Sequence, residues 1–108
     1  MTDIVNGKGP RDVLVCLISK ALDTGIKSRD RWTARDEAFY LGRASAFVYA
    51  AAQIADQMYG VPFSRARHSL MKAVKQVRVE WPLDDLTDAG KVGNKATEMA
   101  SVLLLEDL

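Results

Sequence analysis

Residues 33–59, TARDEAFYLGRASAFVYAAAQIADQMY, constrain this chain more than any other stretch. Read at helical spacing, they carry two separate heptad-spaced apolar seams. One is Ala34, Ala38, Leu41, Ser45, Val48, Ala52, Ala55 and Tyr59; the other is Tyr40, Ala44, Phe47, Ala51, Ile54 and Met58. A helix with a single stripe lies on a surface, whereas a helix with two has to be covered from two sides. The expectation is therefore an all-α fold, an irregular four-helix bundle around one long central helix.

The length of that helix sets a second expectation. About 26 residues rising 1.5 Å each span about 39 Å, whereas a compact chain of this size is only about 34 Å across. Such a helix must kink, protrude or be completed by a second copy. Gly42 is the expected kink. The favoured reading gives one seam to the chain's own helices and the other to a homodimer, through Tyr40, Phe47, Ala51, Ile54 and Met58. Its alternative is a broken helix in a monomer.

The flanking segments supply the other helices. Residues 1–9 contain two glycines and no periodicity, so they read as a flexible lead-in to a single helical domain over 10–108. Pro10 suits a first helical position, where its missing N–H costs nothing. Leu14, Leu17, Ile18 and Ala21 then give one apolar face, and Gly25 is the expected stop, for a helix over 10–24. The connection 25–32 is basic. Trp32 is expected to staple the next helix, and Thr33 with Asp36 resembles a capping box.

After the long helix, Gly60 and Pro62 break the pattern. A third helix is expected over 64–81, capped by Ser64, with Ala66, Leu70, Ala73, Val74 and Val77 inward. A fourth is expected over 87–105 on the stripe Val92, Ala96, Met99 and Leu103, with Gly90 and Gly93 weakening its first turns.

Composition narrows the class. The chain has 108 residues, 48% of them hydrophobic and 27% charged, which is the profile of a globular domain. Cys16 is its single cysteine, so no intrachain disulfide can form and a reducing, cytoplasmic setting is expected. No apolar run approaches the length of a membrane span, and no membrane association is expected. The net charge of +1 conceals an asymmetry. Residues 1–80 hold 13 Lys/Arg against 8 Asp/Glu, and residues 81–108 hold Lys91 and Lys95 against six acids.

The third helix carries the clearest functional signal. Arg65, His68, Lys72 and Lys75 form a strip opposite its apolar face, and Arg67 and Arg78 widen it on one flank. Cations in such a row can track phosphates. The expectation is a non-enzymatic binding protein that presents this helix to an anionic partner, with nucleic acid slightly favoured. An acidic protein surface or a phosphorylated small ligand would answer to the same chemistry. The bland alternative is a solvated face balancing the acidic C-terminal part.

QIADQMYGVPFSRARHSL also has the order of a helix-turn-helix. Against it stand a first helix that is far too long, an unusual Pro62–Phe63 turn, and no Asn or Gln at the start of the second helix. The runner-up function is a protein–protein adaptor or inhibitor, of the kind mobile genetic elements encode, working through an apolar seam.

Catalytic chemistry finds little footing. His68 has no orienting partner, since Ser64 is spent as a cap and Ser69 diverges from it by about 100° on the helix. Cys16 reads as a plain, partly buried thiol with only Lys20 nearby. Asp84, Asp85 and Asp88 suit a helix N-terminus better than a cation loop. GKVGNK (90–95) lacks both GK[ST] and a preceding strand. No catalytic residue, metal site or cofactor is expected.

Overall fold

The computed structural model describes residues 9–28, 34–81 and 89–105, and these form four helices with no strand among them. They are α1 (Pro10–Lys27), α2 (Ala34–Tyr59), α3 (Phe63–Glu80) and α4 (Ala89–Leu103). The fold is the expected all-α bundle. Trp32, Thr33 and the acidic residues Asp84, Asp85 and Asp88 lie outside the described residues, as does nearly all of the N-terminal lead-in.

The long helix is continuous for 26 residues. Gly42 sits inside it, and a Cβ there would meet nothing within 4 Å. The helix is not broken at Gly42: the body measures 43 × 27 × 27 Å, and a helix of about 39 Å fits along its long axis. The dimension that called for a second copy belonged to a sphere, and this molecule is elongated.

α1 packs substantially on all three others, while α2 packs chiefly on α1 and α3, and α3 meets α4 only lightly. Leu14, Ile18 and Leu22 of α1 meet Val48 of α2 and Leu70, Val74 and Val77 of α3 in one core. Around them lie eight buried alanines, four of which (Ala44, Ala51, Ala52 and Ala55) belong to α2. Alanine buries little area, so these helices gain stability by coming close and by packing the few large side chains tightly.

Helix ends follow from local chemistry at some places and from distant neighbours at others. α1 begins as expected, with Gly9 at the cap and Pro10 at the first position. α2 ends at Gly60, whose φ of +73° is in the left-handed region that glycine tolerates. The Gly60 N–H donates to the Asp56 carbonyl and the Val61 N–H to the Ala55 carbonyl. α3 departs from the reading, because it starts at Phe63 with Pro62 at the cap and no side-chain cap bond. Ser64 is thus an exposed residue of the first turn and not a cap. At the other end Trp81 is extended, as a residue before proline is held.

Gly25 is the clearest correction. It does not stop α1, which continues through Lys27. It is buried, and a Cβ built on it would lie 2.5 Å from Cγ1 of Val74 on α3. The missing side chain is what lets α3 approach α1. α4 lies within the expected bounds, with Gly90 and Gly93 inside a helix that is already formed at Ala89. Its end is tied to α1, where Arg11 donates to the buried Ser101 hydroxyl at 3.0 Å. Among the described residues no helix is long and apolar enough to cross a membrane.

Candidate functional site

α3 has a buried half and an exposed half. Ala66, Leu70, Val74 and Val77 are its buried residues and fix its rotation about its own axis. That rotation turns Arg65, His68, Lys72 and Lys75 to solvent, and Arg67 is exposed on the flank. The four strip residues fall at successive turns, so the row is about 15 Å long. None of Arg65, Arg67, Lys72 and Lys75 pairs with an acid of the described residues, and Val79 is exposed among them. Glu80, at the end of the helix, takes a hydrogen bond from Gln76. Of the six acids in the C-terminal part only Glu98 is described, and its partner is Lys95 on α4, 3.1 Å away.

Arg78 does not belong to this row. Its Nε donates to the Ser28 hydroxyl at 2.6 Å, and its Nη2 is bound to the Glu37 carboxylate. Ser28 is itself 1% exposed, and its hydroxyl donates a hydrogen bond to the Gly25 carbonyl at 2.6 Å. The guanidinium therefore joins the end of α1, the start of α2 and the end of α3. The planar fork of an arginine suits such a junction. As a residue offered to an outside anion Arg78 is corrected, because its charge is already committed within the fold.

The residues expected to face a second copy are placed mostly by α1. Ala51 is 0% exposed and sealed in the core, while Phe47 and Ile54 are partly buried against it. Lys20 of α1 lies over the Phe47 ring, 6.0 Å from its centre. Tyr40 is half-buried and meets Phe39 edge to face at 5.3 Å. Met58 alone of the set is exposed. The second seam is real, and the chain's own core takes up most of it, with α1 lying over Phe47.

His68 is exposed, as is Ser64 one turn before it, which is not the cap expected of it. Cys16 is exposed, where a partly buried thiol was expected, because Leu14 and Ile18 take the inward face of α1.

Sequence reasoning missed two features. One is the junction of Arg78, Ser28 and Glu37. The other is a hollow of about 410 Å³ between α1 and α2, where Lys20, Lys27 and Arg43 stand among Phe39, Tyr40 and Phe47. The first has no local signal, since its members are up to 50 residues apart. The second leaves a trace, the row Arg35, Phe39 and Arg43 at four-residue spacing, outside both seams.

The fold and the face together define a class, a small all-α domain with a row of cations on one exposed helix that meet no acid among the described residues. Beyond that class, comparison with protein-family models, with curated proteins and with solved structures finds no match.

Proposed function

We propose that this chain is a non-enzymatic binding protein that holds an anionic partner, nucleic acid before others, on the exposed face of α3. One observation carries the reading: Arg65, Lys72 and Lys75 line up on a helix whose opposite half is anchored in the core, with no described acid to neutralise them. A fixed row of cations about 15 Å long matches the axial rise of four to five phosphates of one strand, at about 3.4 Å each. Arg67 adds a fourth cation on the flank. The imidazole of His68 and the apolar Val79 lie within the same strip, which suits contact with sugar and backbone more than with base edges. Binding of this kind is electrostatic and tolerant of sequence.

The test is charge reversal with the fold as control. The double variant Lys72→Glu, Lys75→Glu should lose binding to a short DNA duplex at low salt, while circular dichroism and melting temperature stay close to the parent. Retained binding by the reversed variant would refute the assignment.

An adaptor acting through an apolar surface is the second reading. Its support is the groove of about 230 Å³ between α3 and α4, floored by Leu70, Ala73, Met99 and Leu103 and edged by the exposed Val102. Arg65, Lys95 and Glu98 also line this groove, so contact there would depend on salt only weakly and would survive reversal of Lys72 and Lys75, whereas contact through the α3 face would weaken steeply with salt.

A further inference from the structure

The hollow between α1 and α2 is a different surface from the cationic face of α3, and it combines two chemistries. Its cations come from both walls, Lys20 and Lys27 on α1 and Arg43 on α2, and all three are exposed. Its aromatic wall is Phe39, Tyr40 and Phe47 of α2. Phe39 is 57% exposed, so its ring is open to a ligand from solvent. The one carboxylate among the lining residues is Asp23, 3.1 Å from Lys27, so the hollow keeps an excess of two positive charges. The Thr24 hydroxyl is turned back onto its own helix, donating to the Lys20 carbonyl at 2.6 Å.

Cations and rings are already in register here. The Arg43 guanidinium sits 5.7 Å from the centre of Phe39, and the Lys20 ammonium 6.0 Å from the centre of Phe47. Both distances are in the range over which a ring face attracts a cation. Each ring thus presents its face toward the side on which the charges lie. A flat aromatic group entering the hollow can stack on Phe39, beneath or in place of the guanidinium, while its anionic substituent is held by Arg43 and the lysines. Rings for bases and cations for phosphates are the combination by which proteins hold unpaired nucleotides. The volume of about 410 Å³ is that of a small-ligand site.

We infer that the α1–α2 hollow binds a nucleotide, its base against Phe39 and its phosphate on Lys20, Lys27 and Arg43. The same chemistry is offered by a free nucleoside phosphate and by an unpaired nucleotide of a single strand.

Calorimetric titration of the full chain separates the parts. Adenosine monophosphate should bind, whereas adenosine and inorganic phosphate alone should each bind at least about tenfold more weakly, since each lacks one half of the recognition. Phe39→Ala should weaken the nucleotide about tenfold, the scale of one lost base–ring stack. Arg43→Gln should do so with a flatter salt dependence. Both residues are exposed, so melting temperatures should hold, and Lys72→Glu on α3 should leave nucleotide binding in place. A short oligothymidine that binds more tightly than the monophosphate, and loses that binding with Phe39→Ala, assigns a single strand as the source; equal binding assigns the free nucleotide. No heat with the monophosphate, equal binding of inorganic phosphate, or indifference to both variants in the hollow would overturn the site.

Discussion

Two stretches of α3 carry the same charge and use it in opposite ways. At the C-terminal end Arg78 is half-buried, bound to Ser28 and Glu37, and belongs to the junction of three helices. Less than one turn before it, Lys75 and then Lys72 stand in solvent with no described acid to meet them. Both stretches are basic in sequence and only the surroundings differ. Charge becomes structure where another element brings a carboxylate and a hydroxyl to it, and becomes a surface where none does. The approach of α1 to α3 decides which, and that approach depends on Gly25.

The comparison can be broken first at that contact. Gly25→Ala gains at most about 1 kcal/mol of helix propensity. It drives a methyl into Val74, a buried and rotationally stiff neighbour, at a cost of about 1–3 kcal/mol. The expected net loss is about 1–2 kcal/mol by urea denaturation, comparable to the cost of losing a packed methyl or two. In the double variant Gly25→Ala, Val74→Ala the two losses should be markedly less than additive, because the second change removes the obstacle to the first. Strict additivity would mean that the close approach is not what fixes α3 against α1.

A smaller effect is expected at the junction itself. Arg78→Ala leaves the Ser28 hydroxyl without its donor and Glu37 without its partner. Glu37 remains substantially solvated, so its lost ion pair counts for little and the hydrogen bond to the buried hydroxyl dominates. A destabilisation of about 1 kcal/mol follows, or a fall in melting temperature of about 4 °C. DNA binding should change little. If Arg78→Ala abolished binding with no loss of stability, Arg78 would belong with the exposed row after all.

The smallest effect on stability is expected on the exposed half of α3. Lys72→Glu with Lys75→Glu should stay within about 0.5 kcal/mol of the parent, as surface changes without buried partners do. A loss several times larger would show that these lysines support the fold, and the contrast with Arg78 would collapse.

Much of this arrangement was legible in the sequence, and the exceptions share a cause. The long helix announced itself by apolar density and by Gly60, both local signals. The inward residues of α3 and the stripe of α4 followed from helical spacing alone. Gly25 was misread because a glycine just after an apolar face looks like a helix stop, and its actual role is set by a side chain on another helix. The second seam of α2 showed correctly that a second cover was needed. Periodicity carries no information on whose helix supplies it, and here the chain's own core supplies most of it, α1 lying over Phe47. Of the candidate site, exposure of Arg65, Arg67, His68, Lys72 and Lys75 followed from their position opposite the apolar face, whereas the capture of Arg78 depended on Ser28 and Glu37, 50 and 41 residues away.

The central claim is that the solvent-facing cations of α3 hold phosphates, and the salt dependence of DNA binding tests it most directly. With three to four phosphates neutralised, the logarithm of the association constant should fall against the logarithm of salt concentration with a slope of about −3, and Lys72→Ala should flatten it by about one. Absence of binding at low salt, or a slope near zero that Lys72→Ala leaves unchanged, would contradict it.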